Sequence, residues 1–502
     1  MTTTSYRPRD GRVAGALADT SAAALAAVVA RAAAASDAVA ATSPRTRRRW
    51  LDALAAALEE HTVELARLAD TETALGLDRL TGEVGRMADQ LRFYGQVAEE
   101  GSWLDVTVDH ATPTTPRLVK VNRPLGPVAV FGASNFPFGF GVLGNDTGSA
   151  LAAGCTVVAK AHPAHVQTCV RLEEIARTAL AAAGAPDGTF AMVSGLQAGI
   201  DLVRSPAVAA VGFTGSQAGG LALWRAANER EVVIPVYAEM GTVNPVVLAP
   251  SGLARLDEIV QGFVGSFTLG AGQFCTKPGL MFAPAGEQVP ARVARALADA
   301  SPAAVMLTEA IADGVASGIR DLVAAGCSVV GRVPGPPTGW AADAAVLSAP
   351  LEALAPGSRV LEECFGPVAV VVEYDALDDL GPALAGLQGS LAGAVFTAGD
   401  GSVDPAEASL VAQLARKVGR VMVDDWPTGV AFTWAQQHGG PWPSTSNPAA
   451  TSVGAGALGR FLRPVAYQSV PDPLLPPAVR EAVSSDNPWG VPRRIDGRLE
   501  TA

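Results

Sequence analysis

The pattern of apolar and polar positions changes rhythm along the chain. Across residues 21–99, Ala, Leu and charged residues recur at helical spacing, as in Leu51, Leu54, Leu58, Leu65 and Leu68, which predicts a run of helices. After Gly101 the pattern alternates in residues 103–108 and again in 118–121, with a Thr/Pro-rich link between, which predicts a two-stranded ribbon. A ribbon of two strands is marginal alone and needs a partner surface. From Gly126 onward, short Val-rich runs alternate with Ala/Leu stretches, the rhythm of buried parallel strands with covering helices. The predicted strands are 128–132, 156–160, 188–193, 209–213, 232–237 and 245–248, with helices at 166–183 and 219–229. Such a doubly wound sheet binds its ligand beyond the carboxyl ends of the strands. A second α/β region follows at 252–428, with a helix at 256–268 and strands at 280–283, 368–372 and 392–396. The Pro-, Gly- and Ser-rich stretch 439–502, with a strand at 465–470, is expected to wrap over the rest or over a second subunit.

Composition narrows the class. The 502 residues suggest about three structural units at roughly 150 residues each. With 37 Lys plus Arg against 49 Asp plus Glu, the net charge is -12, which argues against nucleic acid or anionic lipid and for a small-molecule partner. Apolar residues at 49% and charged residues at 17% describe a globular chain. Cys155, Cys169, Cys275, Cys327 and Cys364 lack C-x-x-C spacing, so neither a disulfide framework nor a zinc ribbon is indicated, and a reducing, cytoplasmic location is expected. The Ala-rich stretch 21–40 is interrupted by Arg31 and Asp37, and Asp10 and Asp19 spoil a basic leader, so it reads as a surface helix and not a membrane span.

Candidate chemistry sits at strand ends. Gly126-Pro-Val-Ala-Val-Phe-Gly-Ala-Ser-Asn135-Phe-Pro-Phe leads a strand into a loop carrying an amide, which alone reads equally as a turn former. Thr156-Val-Val-Ala-Lys160-Ala-His-Pro ends a strand on an ammonium suited to ribose hydroxyls or phosphate. Gly212-Phe-Thr-Gly215-Ser216-Gln-Ala-Gly219-Gly220 is a Gly-rich strand-to-helix turn whose free N–H groups suit a pyrophosphate, although it is not G-x-G-x-x-G and a plain tight turn is the alternative. Ala238-Glu239-Met-Gly-Thr-Val-Asn-Pro and Gly272-Gln273-Phe274-Cys275-Thr276 add a carboxylate and a thiol. Cys275 lies in a Gly-flanked loop where backbone N–H groups favour a thiolate, while the other four cysteines sit in apolar runs. A Cys/His hydrolase needs a histidine base, and His438 in Gln437-His438-Gly439-Gly440 has no recognisable companion, so it reads as a turn or packing residue.

In this order, Asn135, Lys160, Gly215-Ser216, Glu239, Cys275 and Glu362-Glu363-Cys-Phe365-Gly-Pro367 resemble the aldehyde dehydrogenase superfamily over nearly the whole chain. The segments Ala133-Ser-Asn-Phe-Pro-Phe, Lys160-Ala-His-Pro-Ala-His, Glu239-Met-Gly, Gly272-Gln-Phe-Cys-Thr, His438-Gly-Gly-Pro and Phe461-Leu-Arg-Pro-Val-Ala-Tyr-Gln are similar to its α-ketoglutaric semialdehyde dehydrogenase group and neighbouring NADP-linked fatty aldehyde dehydrogenases. The resemblance implies an α/β fold with a doubly wound NAD(P)-binding domain (1–100 and 123–250) and an α/β catalytic domain carrying the thiol (251–438). An oligomerisation ribbon with a C-terminal wrapping segment (101–122 and 439–502) completes it, in a homo-oligomer.

The same resemblance implies that Cys275 attacks the aldehyde, that the Asn135 amide and the Cys275 N–H hold the oxyanion, and that Glu239 activates the hydrolytic water. Lys160 then binds the adenosine ribose, Gly215, Ser216 and Gly220 the pyrophosphate turn, and Glu363 the nicotinamide ribose with Phe365 beside it; no metal is implied. NAD-preferring relatives carry a carboxylate three residues after the lysine; here Pro163 stands there, so NADP is the expected cofactor with NAD possible, and His162 or His165 are nearby donors. Ser134 replaces a Trp often found before the catalytic Asn. Lys277 reads as a solvated lysine or, alternatively, an attractor of a substrate carboxylate, and Phe136, Phe138, Phe274, Phe432 and Trp434 as tunnel or core. The expected reaction is oxidation of 2-oxoglutarate semialdehyde to 2-oxoglutarate. The alternatives are a fatty or other aliphatic aldehyde, a CoA-acylating enzyme, against which Glu239 argues, and a non-catalytic protein of the same fold.

Overall fold

In the computed structural model, which describes residues 1–402 and 404–501, the chain opens on a hairpin of β1 (Thr2–Tyr6) and β2 (Val13–Ala18). The helical pattern does not reveal it; its signal is the Asp10-Gly11 pair, with Gly11 at φ +70°. Four helices follow: α1 (Ala22–Ala40), α2 (Pro44–Glu60), α3 (Thr62–Thr73) and α4 (Leu77–Glu100). The Ser21 and Ser43 hydroxyls accept from the N–H groups of Ala24 and Thr46 and so start α1 and α2, and Gly101 at φ +80° ends α4. Among the described residues α1 alone is long and apolar enough to cross a membrane, and its Leu25, Val29 and Ala32 pack with Ala129, Val158 and Val211. Next come β3 (Val106–Asp109) and β4 (Leu118–Pro124), paired antiparallel; Trp103 and Leu104 lie in a helical turn ahead of the strand.

The first large sheet is parallel throughout. Its elements are β5 (Val128–Phe131), α5 (Asn145–Ala153), β6 (Val157–Lys160), α6 (Val166–Ala182), β7 (Phe190–Val193), α7 (Leu196–Arg204), β8 (Ala210–Gly215), α8 (Gln217–Asn228) and β9 (Val236–Met240). The spatial order is β7-β6-β5-β8-β9, so the winding reverses between β5 and β8. The loops after those two strands carry Asn135 and Gly215-Ser216, and a crevice opens at such a reversal. Its strands are Val- and Ala-rich and mostly buried, as a sheet covered on both faces requires.

The second sheet contains β10 (Pro245–Leu248), α9 (Leu256–Thr268), β11 (Leu280–Pro284), α10 (Val289–Ala300), α11 (Glu309–Ala324), β12 (Ser328–Val333), β13 (Ala344–Ala349), β14 (Val368–Tyr374), α12 (Leu380–Gly386), β15 (Ser390–Phe396), α13 (Pro405–Leu414) and β16 (Val418–Val423). The order is β12-β13-β14-β11-β10-β15-β16, with only β12 and β13 antiparallel. The strand at 245–248 therefore belongs here, between β11 and β15, and not to the first sheet. An apolar run identifies a buried strand but not the sheet that receives it; the switch is made at Asn244, held at φ +52° just before Pro245.

The last segment contains β17 (Leu462–Gln468), α14 (Pro477–Val483), β18 (Arg493–Ile495) and β19 (Arg498–Glu500). The predicted ribbon is not left as two strands: β17 pairs along all of β4 and β18 pairs with β3, giving a five-stranded sheet in the order β17-β4-β3-β18-β19. Val106, Val108, Val119 and Val121 pack under it against Leu475 and Val479.

Candidate active site

The two large sheets meet with opposite edges. Glu239 is in β9, near the carboxyl edge of the first sheet, whereas Cys275 and Glu363 lie on the loops that enter β11 and β14, at the amino edge of the second. The thiol loop is shaped by Gly270, Ala271 and Gly272, all with φ between +57° and +68°. A side-chain carbon on Gly272 would meet the Gly366 carbonyl carbon at 2.2 Å, so this turn and the 363–366 loop are in direct backbone contact. Cys275 is clamped from both sides of the chain. Asn135 Nδ2 donates to the Gln273 carbonyl at 2.8 Å, and Asn244 Nδ2 donates to the Cys275 and Lys277 carbonyls at 2.8 and 3.0 Å. Gln273 Oε1 accepts the Leu307 N–H at 2.9 Å.

The site sets a half-buried thiol beside the buried Glu239 and the half-buried Glu363. Burial, with the Glu363 and Glu239 carboxylates adding to it, pushes the Cys275 thiol up to about 12, so the backbone N–H groups do not by themselves yield the thiolate expected from the loop. His438 Nε2 lies 3.8 Å from Cys275 Sγ, yet burial and the Arg420 and Arg460 charges bring its imidazole down to about 3. The histidine is thus a neutral neighbour of the thiol, a position its sequence context did not reveal. Glu239 is buried; its Oε1 accepts from the Thr445 hydroxyl at 3.2 Å and its Oε2 has no partner, and desolvation holds the carboxyl well above the usual range. Burial likewise raises Glu363 to about 7, against the pull of Lys277 and Arg359. A side-chain carbon on Gly241 would fall 1.9 Å from Glu363 Oε2, so Glu363 lies against the backbone just past β9; Phe365 is half-buried on the same loop.

On the nucleotide side, Ser216 caps α8, its Oγ accepting the Gly219 N–H at 3.2 Å. Gln217 Nε2 donates to the Gly241 carbonyl and the Gly241 N–H to the Gly215 carbonyl, joining this turn to the strand end beside Glu363. Gly220 differs from its neighbours: its N–H is spent on the Ser216 carbonyl at 3.0 Å, and a side-chain carbon there would meet the Met240 sulfur at 2.7 Å. Its smallness sets how closely α8 approaches β9. Lys160 is half-buried at the end of β6, against Gly199. His165 is fully buried between the Ala133 carbonyl and Cys169, which removes it as a surface donor; His162 stacks on it and spends Nδ1 on the Ala164 N–H. The N-terminus of α8 offers N–H donors, Lys160 an ammonium and Glu363 a carboxyl that accepts from hydroxyls, the kinds of group a pyrophosphate and two riboses require.

Lys277 is corrected outright. It is buried, and Nζ donates to the Cys364 and Val368 carbonyls at 2.9 and 2.7 Å, so it ties the thiol loop to β14 and is neither solvated nor turned to a ligand. Of the aromatics, Phe138 is buried core, whereas Phe136 packs edge-on against Phe140 and Phe274, and Trp434 is exposed beside Phe93. Sequence reasoning missed the support beneath Glu239. There Arg460 pairs with Asp146 at 2.7 Å, both buried, and reaches Ser149, which fastens the C-terminal segment to α5. That segment also bonds β9 through Ser444 and Ser446.

Residues 1–445 match the model of the aldehyde dehydrogenase family. The chain belongs to that family. It is an NAD(P)-dependent oxidoreductase acting on aldehydes, and its α/β fold is that of the family. It is 44% identical to alpha-ketoglutaric semialdehyde dehydrogenase 2 of Azospirillum brasilense over 92% of this chain and 89% of that one. It is 39% identical to an alpha-ketoglutaric semialdehyde dehydrogenase of Acinetobacter baylyi over 91% and 88%. Among solved structures, a 3,6-anhydro-L-galactose dehydrogenase in complex with NAP superposes with a TM-score of 0.80 at 21% identity, covering 93% of this chain and 96% of that one.

Proposed function

We propose that the enzyme oxidises 2-oxoglutarate semialdehyde to 2-oxoglutarate. The observation that carries this reading is near-full-length identity of 44% and 39% to two alpha-ketoglutaric semialdehyde dehydrogenases, together with a half-buried thiol beside the buried Glu239 and the half-buried Glu363. The thiolate fraction of Cys275, formed by loss of its proton to solvent, attacks the aldehyde carbon to give a thiohemiacetal. Its oxyanion would lie between the Asn135 amide and the Cys275 N–H, donors aimed where charge develops. A nicotinamide dinucleotide, when bound, would supply the hydride acceptor; Lys160 and Glu363 would hold its riboses, and Gly215 and Ser216 would form the turn at its pyrophosphate. Loss of hydride leaves a thioester on Cys275, and Glu239 takes a proton from the water that hydrolyses it. Because burial raises the Glu239 carboxyl above the usual carboxylate range, this step quickens as rising pH strips its proton.

NADP is the preferred cofactor in this reading, because Pro163 offers no carboxylate to repel a 2′-phosphate. The protein is read as cytoplasmic, its five cysteines all free, and as a homo-oligomer joined through the outer edge of β17, which has a neighbour on one side only. The domain division is residues 1–100 and 123–250 for the cofactor, 251–438 for the thiol, and 101–122 with 439–502 for assembly; within it, β10 crosses from the first to the second.

The test is initial-rate reduction of NADP and NAD across 2-oxoglutarate semialdehyde, succinic semialdehyde, a short alkanal and a long-chain alkanal. The expected outcome is a kcat/KM maximum for 2-oxoglutarate semialdehyde with NADP. A maximum for long alkanals replaces the substrate with a fatty aldehyde, and no turnover on any of them overturns the catalytic reading.

A further inference from the structure

Arg79 lies in the first turn of α4, a stretch whose sequence carries no visible chemistry. Its guanidinium lies 4.9 Å from the centre of the Phe274 ring and 5.1 Å from that of Phe136. These phenylalanines are the chain neighbours of Cys275 and Asn135, so this cation is seated against both reactive loops. Arg79 Nη2 donates to the Asn135 carbonyl at 2.7 Å, while Nη1 is buried without an acceptor. Glu83, one turn further along α4, spends only Oε1, which accepts the N–H groups of Phe138 and Gly139 at 3.0 Å each; its Oε2 is buried without a partner, and the carboxyl and the Arg79 guanidinium attract one another without forming a contact ion pair. Among the described residues Arg79 makes no ion pair within 4 Å. A guanidinium between aromatic faces with an unspent N–H is matched by a planar anion that can take two parallel hydrogen bonds.

Of the other cations near the thiol, Lys277 and Arg460 are engaged, and Arg420, like Arg79, has committed one terminal nitrogen. Lys277 donates to two carbonyls, Arg460 is paired with Asp146, and Arg420 Nη2 donates to the Pro427 and Gly429 carbonyls at 2.6 and 2.7 Å. An anionic substrate entering beside Glu239 and Glu363 needs a counter-charge. We propose that Arg79 is a specificity-determining residue that binds the carboxylate of a short oxo-acid aldehyde and points its aldehyde end at Cys275. This inference rests on the substrate reading above.

Its test compares 2-oxoglutarate semialdehyde with pentanal, a neutral aldehyde of the same length, in wild type, Arg79→Gln and Arg420→Gln. In Arg79→Gln the ratio of kcat/KM for the semialdehyde to that for pentanal falls about 10- to 100-fold, mainly through KM, while Arg420→Gln keeps the wild-type ratio. A parallel loss on both aldehydes in Arg79→Gln, as damage to the Asn135 loop alone gives, overturns the inference and leaves the substrate reading standing. Loss of discrimination in Arg420→Gln with none in Arg79→Gln overturns it too. A wild-type enzyme that already favours pentanal fails the substrate reading itself. A measurement on the wild-type protein guards against misfolding of the variant: glutarate slows phenylglyoxal modification of Arg79, read by peptide mass spectrometry, and an unchanged rate contradicts the proposal.

Discussion

The carboxyl edge of the five-stranded sheet gives the site a helix N-terminus, a lysine and an amide, each set by a few residues of local sequence. The amino edge of the seven-stranded sheet gives it a thiol and a carboxylate, and these depend on partners far away in the chain. Asn244 holds the Cys275 carbonyl and Lys277 ties its loop to β14, and the segment after His438 closes over Glu239, the carboxyl that the first sheet lends to this reactive half. The nucleotide half is thus built by a supersecondary motif, whereas the reactive half exists only when three distant parts of the chain have docked. Ligand binding and chemistry are expected to fail separately when each half is disturbed.

The largest effect comes from the reactive half. Cys275→Ala lowers aldehyde oxidation by at least about 10⁴-fold while leaving NADP binding, read by fluorescence titration, within a few-fold of wild type. Glu239→Gln lowers kcat by about 10²- to 10⁴-fold. Because the water step is then slow, a pre-steady-state burst of reduced cofactor near one equivalent per thiol precedes the slow phase. Removing the buried cation beneath Glu239 tests the docking: Arg460→Met leaves Asp146 buried and unpaired and costs about 3–5 kcal/mol of stability by denaturant melt.

The doubly wound sheet, the order of its motifs and the tight loop that carries Cys275 were legible because each is local. Val-rich runs mark buried strands, a Gly-Ser turn marks the start of α8, and Cys275 stands out by its Gly-flanked loop. Long-range facts were not legible. Nothing in Thr276-Lys277-Pro278 says that the lysine turns inward to two carbonyls, nothing in the Gln-His-Gly-Gly run says that His438 comes within 3.8 Å of the thiol, and Arg79 reads as one more charge on an amphipathic helix. The strand at 245–248 changes sheets for a similar reason, since its partners lie about 35 and 148 residues away in the registers Val246 with Met281 and Val246 with Ala394.

Smaller effects sharpen the contrast. With the thiol pushed up to about 12 in the cofactor-free enzyme, its thiolate fraction rises about tenfold per pH unit below that value, so iodoacetamide alkylation of Cys275 climbs steadily from pH 6 to 9 without a plateau. A plateau near neutrality contradicts a thiol raised by desolvation and the neighbouring carboxyls. Smallest of all, Ser216→Ala removes the cap of α8 at a cost of about 1 kcal/mol and weakens cofactor binding while the burst amplitude stays intact.

The most direct test of the central claim, covalent catalysis at Cys275 with hydrolysis driven by Glu239, is intact-protein and peptide mass spectrometry of Glu239→Gln quenched in acid during turnover with NADP and 2-oxoglutarate semialdehyde. The account predicts a single acyl adduct of the mass of the substrate less hydride, located on Cys275 and absent from Cys275→Ala. An enzyme that turns over with Cys275 unmodified, or that carries the adduct on another residue, contradicts it.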